Sequence, residues 1–173
     1  GEDTMKKKIL PLLALALVVL AGCGPKLNDH VTDYHIDLPG GFEEIEMEGV
    51  DKCWANADQT ANVNLKVTAK AGTANAAFKA ITADIARETI AAAWKEQYGS
   101  EPAITDRYFT KDEICGLPAY QYSYVLEWEG QTVTQILVSV NADKTYAFAY
   151  TTNDEAILKE FDASAKNIQL TIE

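Results

Sequence analysis

The sequence predicts a single α+β domain, an antiparallel β-sheet with helices packed on it, behind an N-terminal targeting segment. Three observations predict it. The period of the apolar residues changes along the chain: alternation up to residue 68, helical spacing over 75–98, and alternation again after Pro102. Three alternating runs joined by tight turn signals lie between residues 118 and 151, the pattern of an antiparallel meander. The length of 173 residues, with 47% hydrophobic content, suits one domain with an appended segment.

Each element has its own justification. Residues 34–38 alternate and stop at Pro39, Gly40 and Gly41, a strand followed by a turn signal. Residues 42–48 set Ile45 and Met47 against Glu44, Glu46 and Glu48, which makes a weak strand that ends at Gly49. Residues 52–56 are the next candidate strand, with Asp58 and Gln59 as its turn. In residues 62–68, Val63, Leu65 and Val67 face one way and Asn62, Asn64 and Lys66 the other. Gly72 breaks this pattern, and 75–98 is Ala-rich without Gly or Pro. There Phe78, Ile81, Ile85, Ala86, Ile90, Ala93 and Trp94 recur at helical spacing, as one long helix or as a short helix followed by a longer one. Thr82 or Asp84 is placed to cap the second half, and Gly99 to stop it.

Strand period then returns. Residues 104–109 are a first candidate, and 118–128 alternate strongly, with Tyr120, Tyr122, Tyr124, Leu126 and Trp128 on one face. Glu129 and Gly130 signal a hairpin into 131–140. A turn over 141–144 leads to 145–151, where Tyr146, Phe148 and Tyr150 share a face. Asn153 is expected to cap a last helix over 154–165, and Ile168, Leu170 and Ile172 alternate as a closing strand.

The first 22 residues read as an address rather than a fold. Met5 is followed by three lysines, an apolar run over 9–21, and small residues. The run has 13 residues, too few for the ~20 that span the ~30 Å of a hydrocarbon core. Its end, Leu20, Ala21, Gly22 and Cys23, resembles the lipobox of bacterial lipoproteins. That resemblance implies cleavage before Cys23 and acylation of its thiol with a diacylglyceryl group, bearing chains such as palmitate. Two acyl chains hold a protein stably on a membrane. The expected organisation is therefore a leader over 1–22, a lipidated N-terminus and tether over 23–33, and an α+β domain over 34–173. Removing the leader leaves 12 basic and 24 acidic residues, a net charge of -12. So acidic a chain is a poor partner for nucleic acid, which needs clustered Lys and Arg, and is repelled by anionic headgroups.

The element order also resembles the PsbP-like fold. The features that carry this are residues 34–39 followed by Gly41 and Phe42, the central helix, the meander over 117–150, and Phe161, Asp162, Ala163 and Ser164 before Ile168. The resemblance implies an α/β/α sandwich and a binding or accessory role without a shared catalytic site. A cystatin-like or other α+β sheet domain is the alternative.

Chemistry-bearing residues are few. With Cys23 lipidated, Cys53 and Cys115 form an even pair outside the cytoplasm and are candidates for a disulfide. Closing that 62-residue loop is worth about 4 kcal/mol in the chain-entropy model. His30 and His35 lie among Asp29, Asp33 and Asp37, which reads as a solvated linker rather than a metal site; no metal and no cofactor is expected. Neither histidine sits in a nucleophile motif. The Glu43 to Glu48 stretch reads as a solubilising strand face. Tyr120, Tyr122, Tyr124 and Trp128 are either a core face under the helices or the floor of a groove for a sugar or peptide, and Trp54 and Trp128 are its expected exposed members. The functional expectation is a lipid-anchored, extracytoplasmic binding or accessory module of a bacterial envelope, not an enzyme. Its partners would be the membrane through Cys23 and an envelope protein. A small-ligand carrier is the alternative, and a carboxylate-based hydrolase ranks last.

Overall fold

The computed structural model describes residues 30–68 and 78–173. The expected leader, Cys23 and the first residues of the expected helix, 75–77, lie outside these. The described chain runs β1 (Val31–His35), β2 (Glu43–Ile45), β3 (Lys52–Ala55), β4 (Ala61–Thr68), α1 (Ala83–Tyr98), β5 (Ala103–Ile114), β6 (Leu117–Trp128), β7 (Gln131–Asn141), β8 (Thr145–Thr152), α2 (Glu155–Lys166) and β9 (Gln169–Ile172).

Seven strands form one antiparallel sheet in the order β2-β3-β4-β8-β7-β6-β5, while β1 and β9 pair as a separate ribbon. The connection from β4 to β5 crosses from the middle of the sheet to its far edge, and α1 lies on that path. The helix starts at Thr82, whose hydroxyl accepts from the Ile85 N–H at 3.2 Å, and ends at Gly99, whose φ of 88° suits glycine. Of the two expected arrangements the structure has the interrupted one: Phe78 and Lys79 are helical, and Ile81 and Thr82 break away before α1 begins.

Both faces of the sheet are covered, so strands β4, β7 and β8 are buried almost throughout rather than alternately. Alternation decides the face instead. Registers such as Val63↔Tyr150, Tyr150↔Ile136 and Ile136↔Ser123 line up one face, which packs on α2 and the β1–β9 ribbon. Its core includes Val63, Leu65, Val138, Phe148, Tyr150 and Phe161. The row Asn64↔Ala149, Ala149↔Leu137 and Leu137↔Tyr122 lines the other face. There Ile81, Ala86, Ile90 and Trp94 pack on Tyr120, Tyr122, Tyr124 and Leu126. Each large apolar side chain buried this way contributes about 1.5–3 kcal/mol.

Several boundaries differ from expectation. The first strand begins at Val31, not Tyr34, because it pairs with β9 at the far end of the chain, so the tether ends earlier than residue 33. The strand expected over 104–109 runs on to Ile114, since β6 supplies a partner along its whole length. Asp154, not Asn153, caps the last helix; its carboxylate accepts from the N–H groups of Ala156 and Ile157 at 2.8 and 2.9 Å.

Candidate functional site

The tyrosine row of β6 is core, not a groove. Tyr120, Tyr122 and Tyr124 are 1%, 0% and 1% exposed beneath α1. The hydroxyls of Tyr122 and Tyr124 find partners inside the fold, which removes the objection to burying those two. The Tyr122 hydroxyl donates to Asp106 at 2.5 Å, and Asp106 also receives Arg87 from α1 at 2.6 Å. The Tyr124 hydroxyl donates to the Gln135 side-chain oxygen Oε1, and the Gln135 side-chain amide N–H donates on to Thr151 at 3.1 Å. Burial raises both phenols well above their ordinary value; for Tyr122 the Asp106 carboxylate adds to the effect.

Trp128 and Trp54 are the half-exposed members of the predicted face. The Trp128 indole N–H donates to Ser100 at 2.9 Å, and its ring stands edge-on to Trp94 at 5.7 Å. The crevice between Trp94, Trp128 and Val133 holds about 10 Å³, room for a single water. Trp54 lies on the opposite face of the sheet, edge-on to Tyr34 at 6.3 Å. The five aromatics expected to share one binding face are thus divided between two, because Trp54 and the β6 row have opposite parity across the sheet.

The cysteines are not brought together, and the expected bridge is corrected. Both are free thiols. Cys53 lies in β3, and Cys115 lies in the turn between β5 and β6, four strand spacings of about 4.8 Å away across the sheet order. A disulfide needs Cα atoms within about 7 Å. Cys53 is fully buried, and that burial pushes its thiol up to about 11. Cys115 is exposed, and its sulfur accepts from the Leu170 N–H at 3.4 Å.

The two histidines do not form a cluster. The His30 ring pairs with Asp143 in the β7–β8 turn at 2.8 Å, and His35 with Asp37 at 3.2 Å. Both belong to the folded domain rather than to a linker. Among the described residues, no three His, Cys, Asp or Glu side chains are grouped to hold a metal ion.

The acidic stretch gives a different picture from a plain strand face. β2 has three residues, and the loop after it opens a cleft of about 510 Å³ with Glu44, Glu46, Glu48 and Asp51 on its rim. Lys52 donates to Glu44 across the hairpin at 2.6 Å. This cleft sits at an open edge of the main sheet, where β2 has a neighbour on one side only. Sequence reading missed it because the cleft arises from the loop path, and no pattern in 46–51 encodes that path.

Two ionic clips tie the layers. Arg107 reaches Asp162 of α2 with both guanidinium nitrogens at 2.9 and 3.3 Å, and the Tyr108 hydroxyl donates to the same carboxylate at 2.6 Å. A bulge between Asp106 and Tyr108 turns β5 so that Asp106 serves the α1 side while Arg107 and Tyr108 serve α2.

No family model and no curated protein matches this chain. Among solved structures, the chain is similar to the solution structure of cyanobacterial PsbP (CyanoP) from Synechocystis sp. PCC 6803. The TM-score is 0.65 at 14% identity, covering 88% of this chain and 99% of that one. A looser overlap is found with LpqN of Mycobacterium tuberculosis, described as involved in cell envelope biogenesis. Its TM-score is 0.46 at 10% identity, covering 80% of this chain and 83% of that one. At such identity the first likeness defines the fold: a single antiparallel α+β domain of PsbP-like architecture.

Proposed function

We propose that this protein is a lipid-anchored, extracytoplasmic accessory module of a bacterial envelope that binds a partner and performs no chemistry itself. The observation that carries this reading is Leu20, Ala21, Gly22 and Cys23 at the end of a basic and apolar leader. The architecture supports it. The β6 tyrosines fill the core, and the crevice at Trp128 is too small for a sugar, so the aromatic row offers a carrier no pocket. What remains for contact is surface: the acidic β2–β3 edge with Trp54 beside it, and the end of the sheet that bears Trp128.

The anchor is tested by detergent-phase partitioning and acyl-chain labelling of the full chain in its host. The wild type should take up label and enter the detergent phase. Cys23→Ser should do neither, and equal behaviour of the two proteins would end the reading. The accessory role is tested by capture from solubilised envelope at high salt. Saturable recovery of one protein, weakened by Trp54→Ala or Trp128→Ala, is expected. Recovery of salt-sensitive basic proteins alone would refute it.

A further inference from the structure

The point where the chain enters the fold is fixed three times over. The His30 N–H donates to the Glu173 carbonyl at 3.4 Å, the Glu173 N–H donates back at 2.9 Å, and the His30 ring pairs with Asp143 at 2.8 Å. Asp143 belongs to the β7–β8 turn, so His30 lies at the end of the sheet where β7 finishes. Strand registers place other ends there too. Thr68 of β4 pairs with Thr145, and Cys53 of β3 with Ile45, the last residue of β2. The β5–β6 turn, closed by Ile114↔Leu117, lies at the same end, and the Cys115 sulfur there meets β9. The turn at Glu129 and Gly130 and the capping Asp154 lie at the opposite end.

Six residues lie between Cys23 and His30, so seven Cα-to-Cα steps join them. Fully extended they reach at most about 25 Å. β6 alone, with 12 residues, is about 36 Å long. A lipid held at Cys23 therefore cannot let the His30 end stray as far from the bilayer as the sheet is tall. The net charge of -12 holds the domain off anionic headgroups, acidic rim included, so the tether is drawn out and the end it enters is the near one.

We propose that the lipid surface faces the end of the sheet formed by the β2–β3 loop and the β5–β6 and β7–β8 turns, and that the end bearing Trp128 points into the compartment. This rests on the lipid-anchor reading. It implies that the acidic rim of Glu46, Glu48 and Asp51 looks toward the bilayer, and that a partner arriving from the compartment meets the Trp128 end first.

The native thiols supply a reporter. Cys115 is exposed and Cys53 is fully buried, so a dye attaches to Cys115 in the folded lipoprotein. A second protein carries Cys115→Ser and Glu127→Cys, and a third carries Cys115→Ser and Thr132→Cys. Glu127 and Thr132 are exposed neighbours at the opposite end. Each acylated protein is placed on phosphatidylethanolamine–phosphatidylglycerol vesicles containing an energy-acceptor lipid. Transfer from Cys115 should exceed that from either distal position several-fold. Equal or reversed transfer, in protein that sediments with vesicles, overturns the orientation and leaves the anchor standing. Wild-type protein that sediments no better than Cys23→Ser overturns both.

Discussion

On the α2 face of the sheet, Tyr146, Phe148 and Tyr150 sit among Val63, Leu65, Val138 and Phe161. On the α1 face, Tyr120, Tyr122 and Tyr124 stand on a single strand under Ile81, Ile90 and Trp94. The α2 layer is joined to backbone as well as to side chains: Ser164 donates to the Asp37 carbonyl at 2.6 Å while meeting the Tyr150 hydroxyl at 3.0 Å, Gln121 donates to the Ala165 carbonyl at 2.9 Å, and Arg107 and Tyr108 hold Asp162. The α1 face is joined by side chains, through Tyr122, Asp106 and Arg87, and through Tyr124, Gln135 and Thr151. The difference teaches how an aromatic row is buried. Phe needs shape alone, whereas each Tyr brings a hydroxyl that the fold must satisfy in place.

The largest test of this contrast is Phe161→Ala. Phe161 is fully buried and stands edge-on to Tyr150 and Phe42 at 5.2 and 5.8 Å. Its loss should cost about 3–5 kcal/mol in denaturant unfolding. A cost below that of an ordinary surface change would remove the α2 face from the core.

Hydroxyl deletion sharpens the comparison. Tyr124→Phe leaves the Gln135 oxygen without this donor in a dry interior and should cost about 1–3 kcal/mol. Tyr150→Phe should cost less, because Ser164 keeps its bond to the Asp37 carbonyl. Equal losses from the two variants would mean that the faces do not differ in this respect.

The clips predict an acid dependence. Burial works to raise the Asp162 carboxyl, but hydrogen bonds from Arg107 and Tyr108 outweigh it and hold it below the ordinary value. A depressed folded value stabilises the fold above the unfolded value of about 4, and that contribution is lost as pH falls through the folded value. Asp162→Asn should therefore be less stable than the wild type at pH 7, with the gap closing below about pH 4. A gap that stays constant down to pH 2 would assign the cost to packing. Asp106 is likewise pushed up by burial and pulled lower still by Tyr122 and Arg87, so Asp106→Asn tests the same behaviour on the α1 side.

The smallest expected effects are at the edges. Thiol titration of the native chain from residue 24 onward should count one reactive cysteine, Cys115, and unreduced denatured protein two. Finding no free thiol after unreduced denaturation would restore the disulfide. Trp128→Ala should cost about 1 kcal/mol at most, since the ring is half-exposed. A collapse in melting temperature would place it in the core.

Much of the fold was legible locally. The meander, the Thr82 and Gly99 boundaries of α1 and the turn at Glu129 and Gly130 all follow from short-range patterns, because period, capping and turn chemistry act within a few residues. The candidate surface was much less legible. Trp54 and Trp128 were found, but the row assigned with them is interior, and the acidic cleft was read as a flat face.

The sequence by itself determined the acidic balance and which side chains share a face within each strand, since alternation is a property of one strand alone. Tertiary structure decided how strands stack those faces. The register Tyr122↔Leu137 and Leu137↔Ala149 sends the β6 tyrosines to α1 and the β8 aromatics to α2. It also decided that β1 pairs with β9, where Thr32 meets Thr171 across 139 positions, and that Cys53 and Cys115 stand apart. Pairing between distant segments depends on the whole core being buried at once, and no local pattern carries that information.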